Sequence, residues 1–318
     1  MNPPAWGPVP ARVRRPGATV GFPAGPWAGR RGVSADPGRR PGPGRRLTRP
    51  GGQLDSHHAC RLPRARILAL CSAPVLALLA VAAFAPLPFT VAQPGSTVNV
   101  LGSDHGKQVI SVSGTGTRKT AGQLRMTTIL ATGPDATVRL KDVVSGWFAT
   151  DRAVMPHDSV YVGGTTKEIE RHNADEMRAS QSSATRAALG YLHRSPRDVK
   201  VTLRLADVGG PSAGLLFSLG IVDKLDGDGR GGDLTGGRTI AGTGTIDAKG
   251  KVGAVGGVPL KTQAAKRDGA TVFLVPKAEC ADATAELPKG LRLIPVTTLK
   301  GAVTALRALR SGGAVPHC

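Results

Sequence analysis

The most restrictive feature of this 318-residue chain is the run Gly209-Gly-Pro-Ser-Ala-Gly214, because of what flanks it. Before it, Val199-Lys-Val-Thr-Leu-Arg-Leu-Ala206 alternates apolar and polar side chains and is rich in β-branched residues, the pattern of a half-buried strand. After it, from Ala213 to Leu225, Leu215, Leu216, Leu219, Val222 and Leu225 recur at helical spacing. A strand thus turns through glycines into an apolar helix, with Ser212 at the helix's leading end. Unpaired amides at a helix N-terminus, reinforced by the helix dipole, are ready donors for an oxyanion formed beside such a serine. Serine is also a frequent helix cap, and taken by itself the motif favours that plainer role.

A nucleophilic serine needs a base. Gly210-Pro-Ser-Ala-Gly214 satisfies G-x-S-x-G, whose hydrolase reading requires an acid and then a histidine downstream. The only histidine after Ser212 is His317, the penultimate residue, so a triad in that order is a poor fit. Lys261 is the alternative, within Gly256-Gly-Val-Pro-Leu-Lys-Thr-Gln-Ala-Ala265. Pro259 suits the first turn of a helix and puts Lys261 in that turn, where the dipole, and burial if present, lower an ammonium's pKa as a general base requires. An exposed helix lysine is the plainer reading when Ser212 is set aside.

These residues carry a resemblance. Gly-Pro-Ser-Ala-Gly at 210–214, Ala-Gly-Thr-Gly-Thr-Ile-Asp-Ala-Lys-Gly-Lys-Val-Gly-Ala-Val-Gly-Gly at 241–257, and Lys261 followed by Ala264-Ala265 and Gly269-Ala-Thr-Val-Phe-Leu-Val-Pro276 resemble the proteolytic domain of Lon proteases, over Val199 to Leu309. The resemblance implies a Ser212 nucleophile, a Lys261 base, Thr243 close to the lysine amine, and Gly210, Pro211 and Ala213 as the supporting turn. It departs in two places: the acidic residue that often precedes Gly-Pro-Ser is Gly209, and the frequent glutamate two residues after the threonine is Thr245. The fold class implied is α/β, an α+β mixed sheet. Lon-type domains often form rings, so the resemblance also allows a homo-oligomer.

Upstream, residues 1–66 hold thirteen Arg, no Lys, no Glu and two Asp amid proline and glycine, which predicts a disordered tail. The tail supplies more than half of the chain's +20, and no basic motif with interleaved aromatics occurs, which argues against nucleic-acid binding. Ile67 to Phe89 is a charge-free apolar run flanked by Arg61, Arg64 and Arg66 and by no basic residue after it before Lys107. It reads as a single membrane anchor with a cytoplasmic N-terminus and an extracytoplasmic remainder; a cleaved signal peptide ending near Ala83-Phe-Ala85 is the competing reading. Either exports Cys280 and Cys318, an even pair open to a disulfide or to remaining thiols. No cysteine–histidine spacing suggests a metal, and no cofactor is expected.

Residues 93–192 read as a β-rich region plus a helix, with short strands at Val98–Leu101, Val109–Ser113, Leu124–Leu130 and Thr137–Leu140. Thr165 and Glu168 form a capping-box pair opening a helix that runs to Leu192. Exported, membrane-anchored Lon-like proteases of actinobacteria resemble this order but carry a PDZ domain where this chain has only His193–Asp198. The loop Asp226-Gly-Asp-Gly-Arg-Gly-Gly-Asp233 lacks an EF-hand's spacing and reads as a solvated surface loop. A strand at Thr271–Val275, a helix after Pro276, a strand at Leu291–Val296, a helix from Thr297 or Thr298 to Leu309 and a tail at 311–318 complete the domain at 199–310. No G-x-x-x-x-G-K-[ST] is present. The expectation is therefore an ATP-independent Ser/Lys endopeptidase acting on flexible or unfolded polypeptides at the outer membrane face. An inactive scaffold and an esterase using His317 are the rivals.

Overall fold

The computed structural model describes residues 64–161, 165–205 and 209–318. One unit carries Ala77–Cys318; of the other, which ends at Leu76, only the start of the first helix is described. The elements run α1 (Arg64–Phe84), β1 (Phe89–Asn99), β2 (Ser103–Asp104), β3 (Lys107–Gln108), β4 (Ile110–Ser113), β5 (Gln123–Ala131), α2 (Leu140–Phe148), β6 (Ala153–Pro156), α3 (His157–Val160) and α4 (Thr166–Tyr191). They continue with β7 (Lys200–Leu203), α5 (Gly214–Leu225), β8 (Thr239–Gly242), β9 (Thr245–Ile246), β10 (Val252–Gly253), α6 (Val258–Arg267), β11 (Val272–Pro276), a 3₁₀ turn (Lys277–Glu279), α7 (Cys280–Ala285), β12 (Arg292–Val296) and α8 (Leu299–Arg310).

The fold is mixed α/β. Six strands form one sheet in the order β12-β11-β8-β5-β1-β6, parallel from β12 to β5 and antiparallel from β5 to β6. β1 and β5 come from the expected β-rich region and complete the same sheet as β8, β11 and β12. Successive side chains of a strand point to opposite faces, and β11 shows the result: Val272 and Leu274 join a core with α4, α5 and α8, while Phe273 and Val275 join a second core with α6 and α7. Both faces of the sheet are thus covered by helices. α5 is mostly apolar and is buried along nearly its whole length, packed between the sheet and the neighbouring α4, α8 and β4.

The expected capping box forms, with Thr165 Oγ1 accepting from the Glu168 N–H and Glu168 Oε2 accepting from the Thr165 N–H. Thr298 likewise caps α8, accepting from Gly301 N–H at 3.0 Å. The strand expected before the serine is β7, paired antiparallel with β4; the end of the expected strand, Ala206, lies outside the described residues.

Three expectations need correction. Thr137–Leu140 is not a strand: Val138 makes a single bridge to Leu87, and Leu140 opens α2, whose first turn is fixed by Asp142 Oδ2 accepting from the Arg139 N–H. Periodicity over four residues could not separate a strand from a helix start. The helix expected over Ile67–Phe89 has other bounds. Among the described residues no helix is long and apolar enough to cross a membrane. α1 begins at Arg64, inside the expected tail, and stops at Phe84, because Pro86 and Pro88 lack the N–H a helix needs and Phe89 already pairs with Pro156 in the sheet. The rest of the expected tail lies outside the described residues. Third, the loop at 226–233 is pinned rather than freely solvated. Arg118 donates to the carbonyls of Asp226, Gly231 and Gly232, Arg310 pairs with the buried Asp228, and Arg307 lies 3.6 Å from Asp226. Carboxylates committed to arginines are poor cation ligands.

Candidate active site

The serine precedes α5 and the lysine lies on α6, helices on opposite faces of the sheet, and both line one cleft past the carboxyl end of β8. Ser212 lies two residues before the first residue of α5. Ala213 occupies the cap position, and the helix has no side-chain cap, so the Ser212 hydroxyl is not spent on capping. The turn is held from beneath by α4: Ser180 Oγ donates to the Pro211 carbonyl at 2.9 Å, and the Gly210 N–H donates to the Asn173 carbonyl at 3.3 Å. Gly210 has φ +86°, a left-handed conformation that glycine adopts without steric cost. A Cβ at Gly214 would lie 3.0 Å from both Ile246 and Ser180, so any side chain there would have to push these neighbours of α5 aside.

The Ser212 carbonyl is gripped twice, by the Gly244 N–H at 2.9 Å and by the Thr243 hydroxyl at 3.4 Å. Thr243 is fully buried, and its Oγ1 also accepts from Lys261 Nζ at 3.2 Å. Threonine thus links the backbone of the serine turn to the amine. α6 opens on Gly257, with φ +69°, and has Pro259 in its first turn. The Lys261 N–H closes that turn on the Gly257 carbonyl at 3.1 Å. Lys261 is 4% exposed. Burial pushes its amine down from 10.5 to about 8, opposed by the charge of Glu279, so about a tenth of it is neutral at pH 7, far more than for an ordinary lysine.

The expectation that the first amides of α5 are free needs narrowing. The Leu215 N–H is bonded to the Gly244 carbonyl at 3.0 Å, and the Gly214 N–H points at the Pro211 carbonyl at 3.4 Å. Among the described residues the amides of Ser212 and Ala213 have no acceptor, which makes them the donors available to an oxyanion.

Ser212 and Lys261 both line a cleft of about 530 Å³ walled by Pro94, Gly95, Ser96, Thr128, Ile129 and Leu130 of the β1 and β5 strands, with Gly209 and Arg267 at its ends. β1 shifts register between Pro94 and Thr97, a bulge that opens this wall. Arg267, the last residue of α6, fixes the bulge by donating to the Gly95 carbonyl at 2.7 Å while pairing with Asp268, which in turn accepts from Thr97 Oγ1 at 2.7 Å. His317 is exposed and is not among the cleft residues. Its neighbour Cys318 is in a disulfide with Cys280, Cα to Cα 5.3 Å, which ties the C-terminal tail to the start of α7. Among the described residues no His/Cys/Asp/Glu group capable of holding a metal occurs.

Sequence reasoning brings Ser212, Thr243 and Lys261 into one site but misses four contributors. Asn173 and Ser180 lie on α4, more than thirty residues before the serine, and nothing local marks them. Arg267 was legible only as a helix-end arginine. Glu279 follows a strand and carries no motif, yet its charge acts on the Lys261 amine.

Comparison with known proteins places a name on this stretch. Residues 197–306 match the family described as the Lon protease (S16) C-terminal proteolytic domain. The chain is also similar to the Lon protease of Mesomycoplasma hyopneumoniae (strain 232), 26% identical over 43% of this chain and 18% of that protein. The chain therefore spans under a fifth of the length of the curated relative it matches.

Proposed function

Starting from a Lon-type proteolytic domain over residues 197–306, we propose that this protein is a serine endopeptidase with a Ser212/Lys261 dyad. The observation that carries the reading is the buried amine on Thr243, whose hydroxyl also holds the Ser212 backbone, in a cleft both side chains line. In this reading neutral Lys261 takes the Ser212 hydroxyl proton as Oγ attacks the peptide carbonyl. The amides of Ser212 and Ala213 stabilise the oxyanion, and the lysine's proton passes to the leaving amine. Water, deprotonated by the same amine, then hydrolyses the ester and frees Ser212.

The substrates proposed are flexible or unfolded polypeptides, cleaved without ATP. Two features support this: the chain contains no phosphate-binding P-loop, and the cleft wall formed by segments of β1 and β5 suits an extended chain. We place the domain outside the reducing cytosol, at the outer face of the cell membrane. The Cys280–Cys318 bridge supports an oxidising compartment, and the exposed apolar side chains of α1 support contact with lipid.

The test is a fluorophosphonate probe on the purified full chain, with digestion of an unfolded protein such as reduced casein measured in parallel. The reading expects labelling and casein cleavage in wild type, and neither in Ser212→Ala or Lys261→Met. Labelling that survives Ser212→Ala would overturn it, and a folded wild type that neither labels nor cleaves would return the chain to the inactive-scaffold reading.

A further inference from the structure

The dyad does not explain Glu279. This residue ends the 3₁₀ turn after β11, and its two oxygens have different fates. Oε1 accepts from the Val255 N–H at 3.0 Å, fixing the segment two residues before Gly257, where α6 and Lys261 begin. Oε2 is sealed from solvent and has no hydrogen-bond partner among the described residues. A buried carboxylate oxygen left without a donor is costly and is not kept for packing, since an apolar side chain would fill the space at lower cost. The arrangement makes sense if the charge serves a neighbour. Among the described residues the charged group coupled to Lys261 is Glu279, and the groups coupled to Glu279 are Lys261 and Asp282.

We propose that Glu279 is a positioning residue for the dyad: it anchors the turn leading into α6 and sets a buried negative charge against the lysine, keeping that amine basic enough to accept the serine proton. Burial by itself weakens an amine as a base, and a base of too low basicity transfers protons poorly. An acidic neighbour offsets that loss. In this chain the position directly before Gly-Pro-Ser is Gly209, so the turn itself brings no carboxylate there. Burial pushes the Glu279 carboxyl up, while the Val255 hydrogen bond and the Lys261 charge pull it down and Asp282 pushes it up, which keeps the pair mutually dependent.

The inference rests on the Ser/Lys reading, and its test separates the two. The rate at which a small fluorophosphonate labels the full chain is followed from pH 5.5 to 10 in wild type, Ser212→Ala and Glu279→Gln. If Ser212→Ala still labels, the dyad itself has failed. If it does not, the wild-type rate should rise with pH as Lys261 loses its proton, with a midpoint near 8. Glu279→Gln keeps an acceptor for Val255 but removes the charge, so the midpoint should move about one unit toward acid, the low end of what a neighbouring opposite charge produces. An unchanged midpoint in that variant overturns the proposal and leaves Glu279 a purely structural anchor. Should Glu279→Gln fail to fold, Glu279→Asp keeps the charge and shortens the reach. The proposal then expects the wild-type midpoint with a slower maximal rate, and a midpoint displaced toward acid by a full unit overturns it.

Discussion

Replacing Lys261 with methionine should make the protein more stable at pH 7, and the gain should disappear in alkali. The amine is 4% exposed and its pKa falls from 10.5 to about 8 because burial penalises the charged form, with Glu279 opposing. The folded state therefore releases the proton at lower pH than the unfolded chain does. Between 8 and 10.5 the unfolded state binds more protons, so stability rises with pH across that window. Below pH 8 the folded protein bears the whole cost of holding a charged amine: a depression of roughly 2.5 units at ~1.4 kcal/mol each, or about 3 kcal/mol. Methionine has a similar length and no charge to bury. It leaves Thr243 Oγ1 without its donor, which returns about 1 kcal/mol. The net expectation is about 2 kcal/mol of stabilisation at pH 7, a rise of roughly 4–8 °C in Tm for a domain of this size. The comparison should be made in a Ser212→Ala background to exclude self-digestion, by urea and thermal unfolding at pH 7 and again at pH 10.5. A variant that is no more stable at pH 7, or an advantage that persists unchanged at pH 10.5, refutes the claim that a charged amine is being held out of water at cost.

Other expectations follow from single contacts. Thr243→Val keeps the shape but leaves the buried amine without an acceptor and the Ser212 carbonyl with one donor fewer; probe labelling should slow about ten- to a hundredfold, the equivalent of ~1–3 kcal/mol, and a wild-type rate would dismiss the threonine's role. Asp223 is fully buried, with Oδ1 accepting from the Leu234 N–H at 2.7 Å and Oδ2 unpartnered, and burial raises its pKa from 3.8 to about 6 despite that bond. Its folded pKa lies above the unfolded value, so the stability it contributes is complete below about 3.8 and is lost as pH rises through 6. Asp223→Asn should therefore stabilise by about 3 kcal/mol at pH 7 and by much less at pH 4; equal effects at both pH values in thermal melts would contradict this. Cys318→Ser opens a crosslink spanning 38 residues and should cost up to about 4 kcal/mol by loop-closure entropy. It should leave probe labelling of the folded protein intact, as should deletion of 316–318, whereas loss of labelling with the fold retained would revive a histidine-dependent hydrolase.

Much of the architecture around the site was written in local patterns. The run from Leu215 to Leu225 is mostly apolar, which suits a buried helix, and Pro259 marks the first turn of α6 in the sequence itself. These are short-range signals, set by backbone preference and side-chain periodicity within one or two turns. Residues 67–89 depart from their expected bounds for a related reason. Their apolarity is real, but a window over composition does not register that Pro86 and Pro88 end the helix and that Phe89 is claimed by a strand pairing with residues more than sixty positions away. The pull of the sheet on residues 85–89 is a tertiary effect, and it decides where α1 stops.

The parts of the site that sequence could not supply are those in which distant segments share one atom or one charge. Thr243 was legible as a neighbour of the amine through resemblance, but its second bond, to the Ser212 carbonyl, depends on β8 ending beside the serine turn. Asn173, Ser180 and Glu279 have no motif because each acts through a single contact whose partner is chosen by packing. Their common consequence is mechanical. α4 holds the serine turn from below, Glu279 holds the approach to the lysine helix, and Thr243 joins the two, so Ser212 and Lys261 are positioned from opposite faces of one sheet. A substitution at Ser180, Glu279 or Thr243 should therefore disturb the relation between Ser212 and Lys261 while leaving the strand order unchanged. That places the sensitivity of such a dyad in the supports between two helices rather than in either helix.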